Sequence, residues 1–438
     1  MVFGFEVPKR ECHVNLRNFK STTLALEESP YARFLEVILV RSVGLLVVAI
    51  FVAIIARRIH LPYTVGLIIA GIVLAAVRFD TGIVLTREIV FDGILPPLLF
   101  EAALCIRWSE LRRDAVPVVI LASLGVVISA LVVAIGTASL LGWPASSALV
   151  FGVLIAATDP VAVIAMFKDT GVKGRLRLLV ESESLLNDGV AAVLFALALA
   201  SAQAPGGASA TPAEIAQALV VIAGGGFLVG LLCGAVAIAL AGRAPDRLVE
   251  TALTLAVAYG AFLLAEQLHV SGVLATVAAG LLMGNFGVLD GRDSHAPSFR
   301  AREFVMAFWE FAAFVANSFI FLLIGVTVAG IPFAGLGATA LAIIVVLVLL
   351  GRALTVYPLC LMFVRSRWAI PIPAQHILWW GGLRGVLALA LALALPPSLP
   401  FRIEIVIATF GVVAFSVVVQ GVTMSPFLRI LGLRPNPS

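Results

Sequence analysis

The sequence predicts an all-α polytopic membrane protein of about 13 transmembrane helices, arranged as inverted repeats with two crossing broken helices. Three observations carry this. The 438-residue chain is 61% hydrophobic and 12% charged, against about 25% charged residues in a soluble domain. Its apolar runs are continuous rather than alternating, which excludes a β-barrel. Two of those runs are interrupted at mid-depth by helix breakers beside a charge, at Asp159-Pro160 and between Gly381 and Gly385.

In chain order, residues 1–33 form a polar extension without an apolar core of signal-peptide length, expected to be poorly ordered or to lie on the surface. Segments near the roughly 20-residue length that a bilayer requires then run 34–56, 61–78, 89–106, 116–141, 145–167, 181–202, 214–242, 248–268, 270–288, 304–328, 335–364, 374–396 and 403–430. The odd-numbered loops carry Arg57, Arg58, Arg107, Arg112, Arg113, Lys168, Lys173, Arg175, Arg177, Arg243, Arg247, Arg292, Arg300, Arg302, Arg365 and Arg367, and the even ones only Arg78, Arg87 and Arg402. The positive-inside rule places the odd loops and the C-terminus in the cytoplasm and the N-terminus outside, although Lys9, Arg10, Arg17 and Lys20 of the extension run against it. The net charge of +4 is thus a matter of topology, and no nucleic-acid partner is expected. The four cysteines are widely separated and form no CxxC pair, so neither a metal site nor a disulfide framework is indicated. No phosphate-binding GxxxxGK[ST] loop occurs, so transport would be driven by a gradient, with no cofactor.

A charge at the bilayer centre costs about 2.5–3.5 kcal/mol on insertion scales, so intramembrane acids mark ion or proton paths. The stretch from Glu181 to Gly189 places Glu181, Glu183 and Asp188 with Ser182, Ser184 and Asn187 at the front of an apolar helix. Ser182 is expected to cap that helix near the surface, and Glu181 to be interfacial. Ser184 and Asp188, four apart, share a face, as do Glu183 and Asn187. In the fifth segment, Asp159-Pro160 breaks the helix and provides an N-cap and first position for a second half-helix. The freed groups around Thr158 can then face an ion. Oxygens of Asp188, Ser184, Thr158 and Asn187 suit a hard cation. The twelfth segment holds Gly381, Gly382, Arg384 and Gly385, a second break whose arginine can compensate half-helix carbonyl ends. Arg352 is alone at depth in the eleventh segment and needs an anionic partner, for which Glu183 is the best candidate. Glu101 and Glu310 also lie at membrane depth, where they line a cytoplasmic funnel or bond a neighbouring helix. Gly226, Gly230 and Gly234 form a small-residue packing stripe.

The stretches 158–163, 183–189, 270–275 (Val270-Ser271-Gly272-Val273-Leu274-Ala275), 381–385 and 95–101 together resemble the sodium/proton antiporters of cation:proton antiporter family one, which includes NhaP-type proteins and animal sodium/hydrogen exchangers. The match spans 34–430 in order. The resemblance implies an NhaA-like fold and a homodimer. It implies scaffold parts at 34–106 and 203–328, the latter including a linker helix, and core parts at 107–202 and 329–432, with 433–438 a short tail. It makes Asp188 the carboxylate exchanged between sodium and proton, Asp159 and Thr158 its neighbours, and Glu183–Arg352 a structural pair. The long regulatory tail of the animal exchangers is absent, which implies a prokaryotic protein of the inner (plasma) membrane. The expected function is electroneutral exchange of sodium, or lithium, for protons by an elevator-like shift. A potassium/proton antiporter shares these ligand types. An intramembrane aspartyl protease using Asp159 and Asp188 would leave Pro160, Asn187 and Arg352 without a role.

Overall fold

In hydrocarbon, every backbone N–H and C=O must be satisfied within the chain, and continuous apolar runs achieve this as helices. The computed structural model describes residues 30–432 except 60, 80–81, 84, 162, 165–166, 168–170, 205–210, 244–245 and 289–298, and no strand occurs among the described residues. The predicted extension up to residue 29, Ala162, Lys168, Arg292 and the tail from 433 lie outside them.

The helices are α1 (Pro30–Ile59), α2 (Tyr63–Ala76), α3 (Leu95–Cys105), α4 (Trp108–Leu141), α5 (Ala145–Leu154), α6 (Arg175–Gln203), α7 (Pro212–Ala241), α8 (Arg247–Gln267), α9 (Gly272–Leu282), α10 (Phe299–Gly330), α11 (Ala338–Met362), α12 (Ile372–Trp380), α13 (Val386–Leu393), α14 (Arg402–Phe415) and α15 (Gly421–Ile430). A π-turn leads into α3, another follows α9, and a third joins α14 to α15. Eight stretches are long and apolar enough to cross a membrane among the described residues, with α14 to α15 forming one of them.

Several helix starts differ from the sequence reading, α10 among them, which begins at Phe299 rather than 304. α1 starts at Pro30, inside the expected extension. α4 starts at Trp108 and α6 at Arg175, because their first turns are polar and invisible to hydropathy. Those turns are held together instead by Arg175, which donates to Asp114 Oδ1 at 2.8 and 2.9 Å and to the carbonyls of Trp368 and Ala369. The acidic stretch therefore lies well inside α6, not at its front. Ser182 caps nothing: it is buried, and its Oγ has no hydrogen-bond partner among the described residues. Glu181 accepts a bond from Arg177 at 2.8 Å.

Without a hydrophobic drive between helices in lipid, close backbone approach sets the packing. Gly226, Gly230 and Gly234 of α7 lie on Ser271, Ala275 and Ala279, so the stripe is the seat of α9. Gly71 of α2 and Gly325 of α10 face each other, and a Cβ on either would overlap the other helix's backbone. Tyr63 stacks on Phe314 along the same seam.

Elsewhere α4 packs on α5, α6 and α11. Here a buried ion pair joins three elements. Arg352 of α11 donates from Nη1 and Nη2 to the two oxygens of Glu183 on α6, both at 2.7 Å. Its Nε and Nη2 also reach the Leu378 carbonyl of α12, at 3.1 and 3.0 Å. Both side chains are nearly inaccessible, at 6% and 1%. Removing one partner leaves a buried charge uncompensated, a loss of about 3–5 kcal/mol. Arg352→Ala is therefore expected to lower the melting temperature in detergent markedly. Arg352→Lys should fall in between, keeping the charge but not the two-pronged geometry. An unchanged melting temperature for Arg352→Ala would contradict this.

Candidate functional site

Proline cannot donate a backbone hydrogen bond, and it pushes the residue before it out of helical conformation. α5 accordingly ends at Leu154, and helical structure resumes at Val161. Asp159 Oδ1 accepts the Val161 N–H at 2.9 Å, the side-chain cap expected of it. In the second interrupted element, α12 ends at Trp380 and α13 starts at Val386, leaving Gly381 to Gly385 unwound.

The two interruptions meet. Asp159 N–H donates to the Leu383 carbonyl at 2.7 Å. Arg384, 1% exposed, donates from Nη1 to the carbonyls of Ala156 and Ala157, the negative end of α5. Its Nε and Nη2 are buried without a hydrogen-bond partner among the described residues. The glycines supply clearance: a Cβ on Gly385 would overlap the Asp159 carboxylate, and one on Gly382 would lie 2.6 Å from Arg352 Nε.

α6 locks the first interruption in place. Asn187 Oδ1 accepts the Thr158 N–H at 3.2 Å, and Asn187 Nδ2 donates to Thr158 Oγ1 at 3.0 Å. Thr158 Oγ1 and Ser184 Oγ are 3.0 Å apart. Asn187 Nδ2 also lies 3.5 Å from Glu183 Oε1. Asn187 and Ser184 were expected among the ion ligands. In the structure they hold Thr158 and do not line the cavity, because they lie on the faces of α6 turned toward the break and away from the open space.

That cavity has a volume of about 940 Å³. On α6 it is lined by Arg177, Glu181, Leu185 and Asp188, a single stripe at helical spacing. Thr158 and Asp159 line it as well. Glu101 of α3 and Glu310 of α10 line it too, as do Arg57 and Arg429. Asp188 thus sits on the cavity, half-buried, with no ion pair among the described residues. Two carboxylates with a hydroxyl nearby, all three lining one cavity, can hold a hard cation or take a proton on the same oxygens. Missed by the sequence reading is the opposite wall: Tyr63, Thr64, Phe314 and Asn317. They carry no charge, and charge at depth was the signal being followed.

Comparison with known proteins fits this geometry. The family described as sodium/hydrogen exchanger, transmembrane, matches residues 45–430. The Na(+)/H(+) antiporter ApNhaP of Aphanothece halophytica is 42% identical over 85% of this chain and 70% of its own length. The Na(+)/H(+) antiporter NhaP of Pseudomonas aeruginosa is 37% identical over 78% of this chain and 81% of its own. The solved structure of the sodium proton antiporter MjNhaP1 from Methanocaldococcus jannaschii shares the fold, with TM-score 0.69 and 23% identity over 90% of this chain and 100% of that one. With an interrupted-helix crossing, a carboxylate-lined cavity and these relatives, the chain belongs to the sodium/hydrogen exchanger family.

Proposed function

We propose that the protein exchanges sodium for protons across a bacterial plasma membrane, with lithium able to replace sodium. The observation that carries this reading is Asp188, a membrane-depth carboxylate lining a large cavity, next to Asp159 and Thr158. Cation and proton compete for its oxygens, and that competition is the exchange. The names of the relatives, sodium/proton antiporters, support the choice of substrate. Arg57 and Arg177, which line the cavity, belong to the arginine-rich odd loops, and Arg429, which also lines it, lies in the last turn of the final helix, so the positive-inside rule makes the opening cytoplasmic.

Movement would follow the division expected from the sequence. α4 to α6 and α11 to α15 form the mobile core, and α1 to α3 with α7 to α10 form a scaffold that pairs with a second copy. The core then carries the ion in an elevator-like shift. The exchange is electroneutral. The crossing region holds three carboxylates, Asp159, Glu183 and Asp188, and two guanidiniums, Arg352 and Arg384, so one negative charge is left over. Either one sodium ion or one proton neutralises it.

Asp188→Asn keeps the side-chain volume but cannot bind a cation by charge. It is expected to abolish sodium-driven proton movement in proteoliposomes while the purified protein stays monodisperse. Robust exchange in that variant would sink the assignment. Running lithium and potassium beside sodium in the same dequenching assay reads the ion preference directly.

Voltage does no work on a core whose net charge is the same in both loaded states. Initial sodium uptake is therefore expected to be independent of a potential clamped with potassium and valinomycin. A steep dependence, or two protons moved per sodium, would show that a second acid titrates, with Asp159 the first to test.

A further inference from the structure

The stretch from Val270 to Ala275 carries no charge and lines no part of the cavity, yet its Leu274 lies against Gly189, the residue after Asp188. It forms the start of α9, and that start is tied down. Ser271 Oγ accepts the Leu274 N–H, Ser271 N–H donates to the Ile222 carbonyl of α7 at 3.1 Å, and Gly272 N–H donates to Glu266 of α8 at 3.0 Å. The α7 glycines meet its backbone at Ser271 and Ala275. From this fixed base Leu274 reaches α6 and lands on Gly189, the residue after Asp188. A Cβ at Gly189 would overlap Leu274 Cδ2 and lie 2.5 Å from its Cγ. Leu274 is buried, 7% exposed.

The cavity follows α6 from Arg177 to Asp188, and no later residue of that helix lines it. At the next position the helix is covered by Leu274. We propose that Leu274, seated on Gly189, is the apolar seal that closes the site toward the opposite membrane face, and that Gly189 is the slot past which this seal slides when the core moves. An apolar constriction stays closed by excluding water. A glycine slot lets two helices move past each other where a larger residue would interlock. The inference rests on the exchange reading of the same site.

The test uses the full chain in proteoliposomes. With a pH gradient imposed in sodium-free buffer, Leu274→Ala is expected to dissipate the gradient at least about threefold faster than the unmodified protein, because a wetted constriction passes protons. Gly189→Ala is expected to slow sodium-driven exchange about tenfold without such a leak, because a gating step becomes limiting. Combining the two changes should restore exchange to within about threefold of the unmodified rate, since the residues in contact compensate. Tight vesicles with Leu274→Ala, full speed with Gly189→Ala, or a double variant as slow as Gly189→Ala overturns the proposal. If Gly189→Ala does not assemble, the leak through Leu274→Ala decides alone. Unmodified protein that exchanges no monovalent cation would sink the exchange reading, whereas normal exchange with a tight Leu274→Ala sinks only the seal.

Discussion

The hydrogen bond from Asp159 N–H to the Leu383 carbonyl stands for the constraint on which the rest of the structure depends. A helix broken in hydrocarbon exposes backbone groups that water cannot satisfy. Here two breaks are set against each other. Each supplies partners for the other's loose ends, and Arg384 takes up the carbonyl end of α5. The remaining features follow from that meeting. Gly382 and Gly385 are small because Arg352 and Asp159 occupy the space where side chains would be. Asn187 and Ser184 are polar because Thr158, left without a regular helix around it, needs partners.

Most of the polar ties near the site fall within one group of helices, while the Trp108 N–H of α4 donates to Asn285 Oδ1, just after α9, at 2.6 Å and so crosses between the groups. Asp159 to Leu383, Asn187 to Thr158, Arg352 to Glu183 and Arg175 to Asp114 all join helices of the proposed core. Trp309 to Thr254 and Tyr63 to Ser318 join helices of the proposed scaffold. Close to the site, the two groups touch through apolar atoms: Leu274 on Gly189, and Val65 beside Gly421. Hydrogen bonds are directional and expensive to leave unmade in a low-dielectric medium, whereas dispersion contacts are individually weak and can be exchanged for equivalents. Next to the site, contacts of the second kind can slip while each group keeps its shape.

Much of the fold was legible in the sequence because hydrocarbon imposes a harsh filter. Long apolar runs can only be helices there, and a charge or a Pro within one is costly enough to signal a purpose. This is how Asp159, Asp188, Glu183, Arg352 and the glycines around Arg384 could be singled out. The first turns of α4 and α6 escaped because they are polar and held by Arg175, a tertiary contact that hydropathy does not register.

By itself, then, the sequence determined the class of fold, the two interruptions and the identity of the buried charges, since each is a local departure from an otherwise apolar run. Only the tertiary structure decided how those residues divide their work. Asn187 and Ser184 carry ligand-type oxygens, but helical phase turns them to Thr158, while Asp188 is turned to the cavity. The neutral wall of Tyr63, Thr64 and Asn317, and the seating of Leu274 on Gly189, depend on which helices are neighbours. Neighbourhood across a bundle is set by close backbone approach at small residues. A single run of sequence shows where such residues are, but not which helix they will meet.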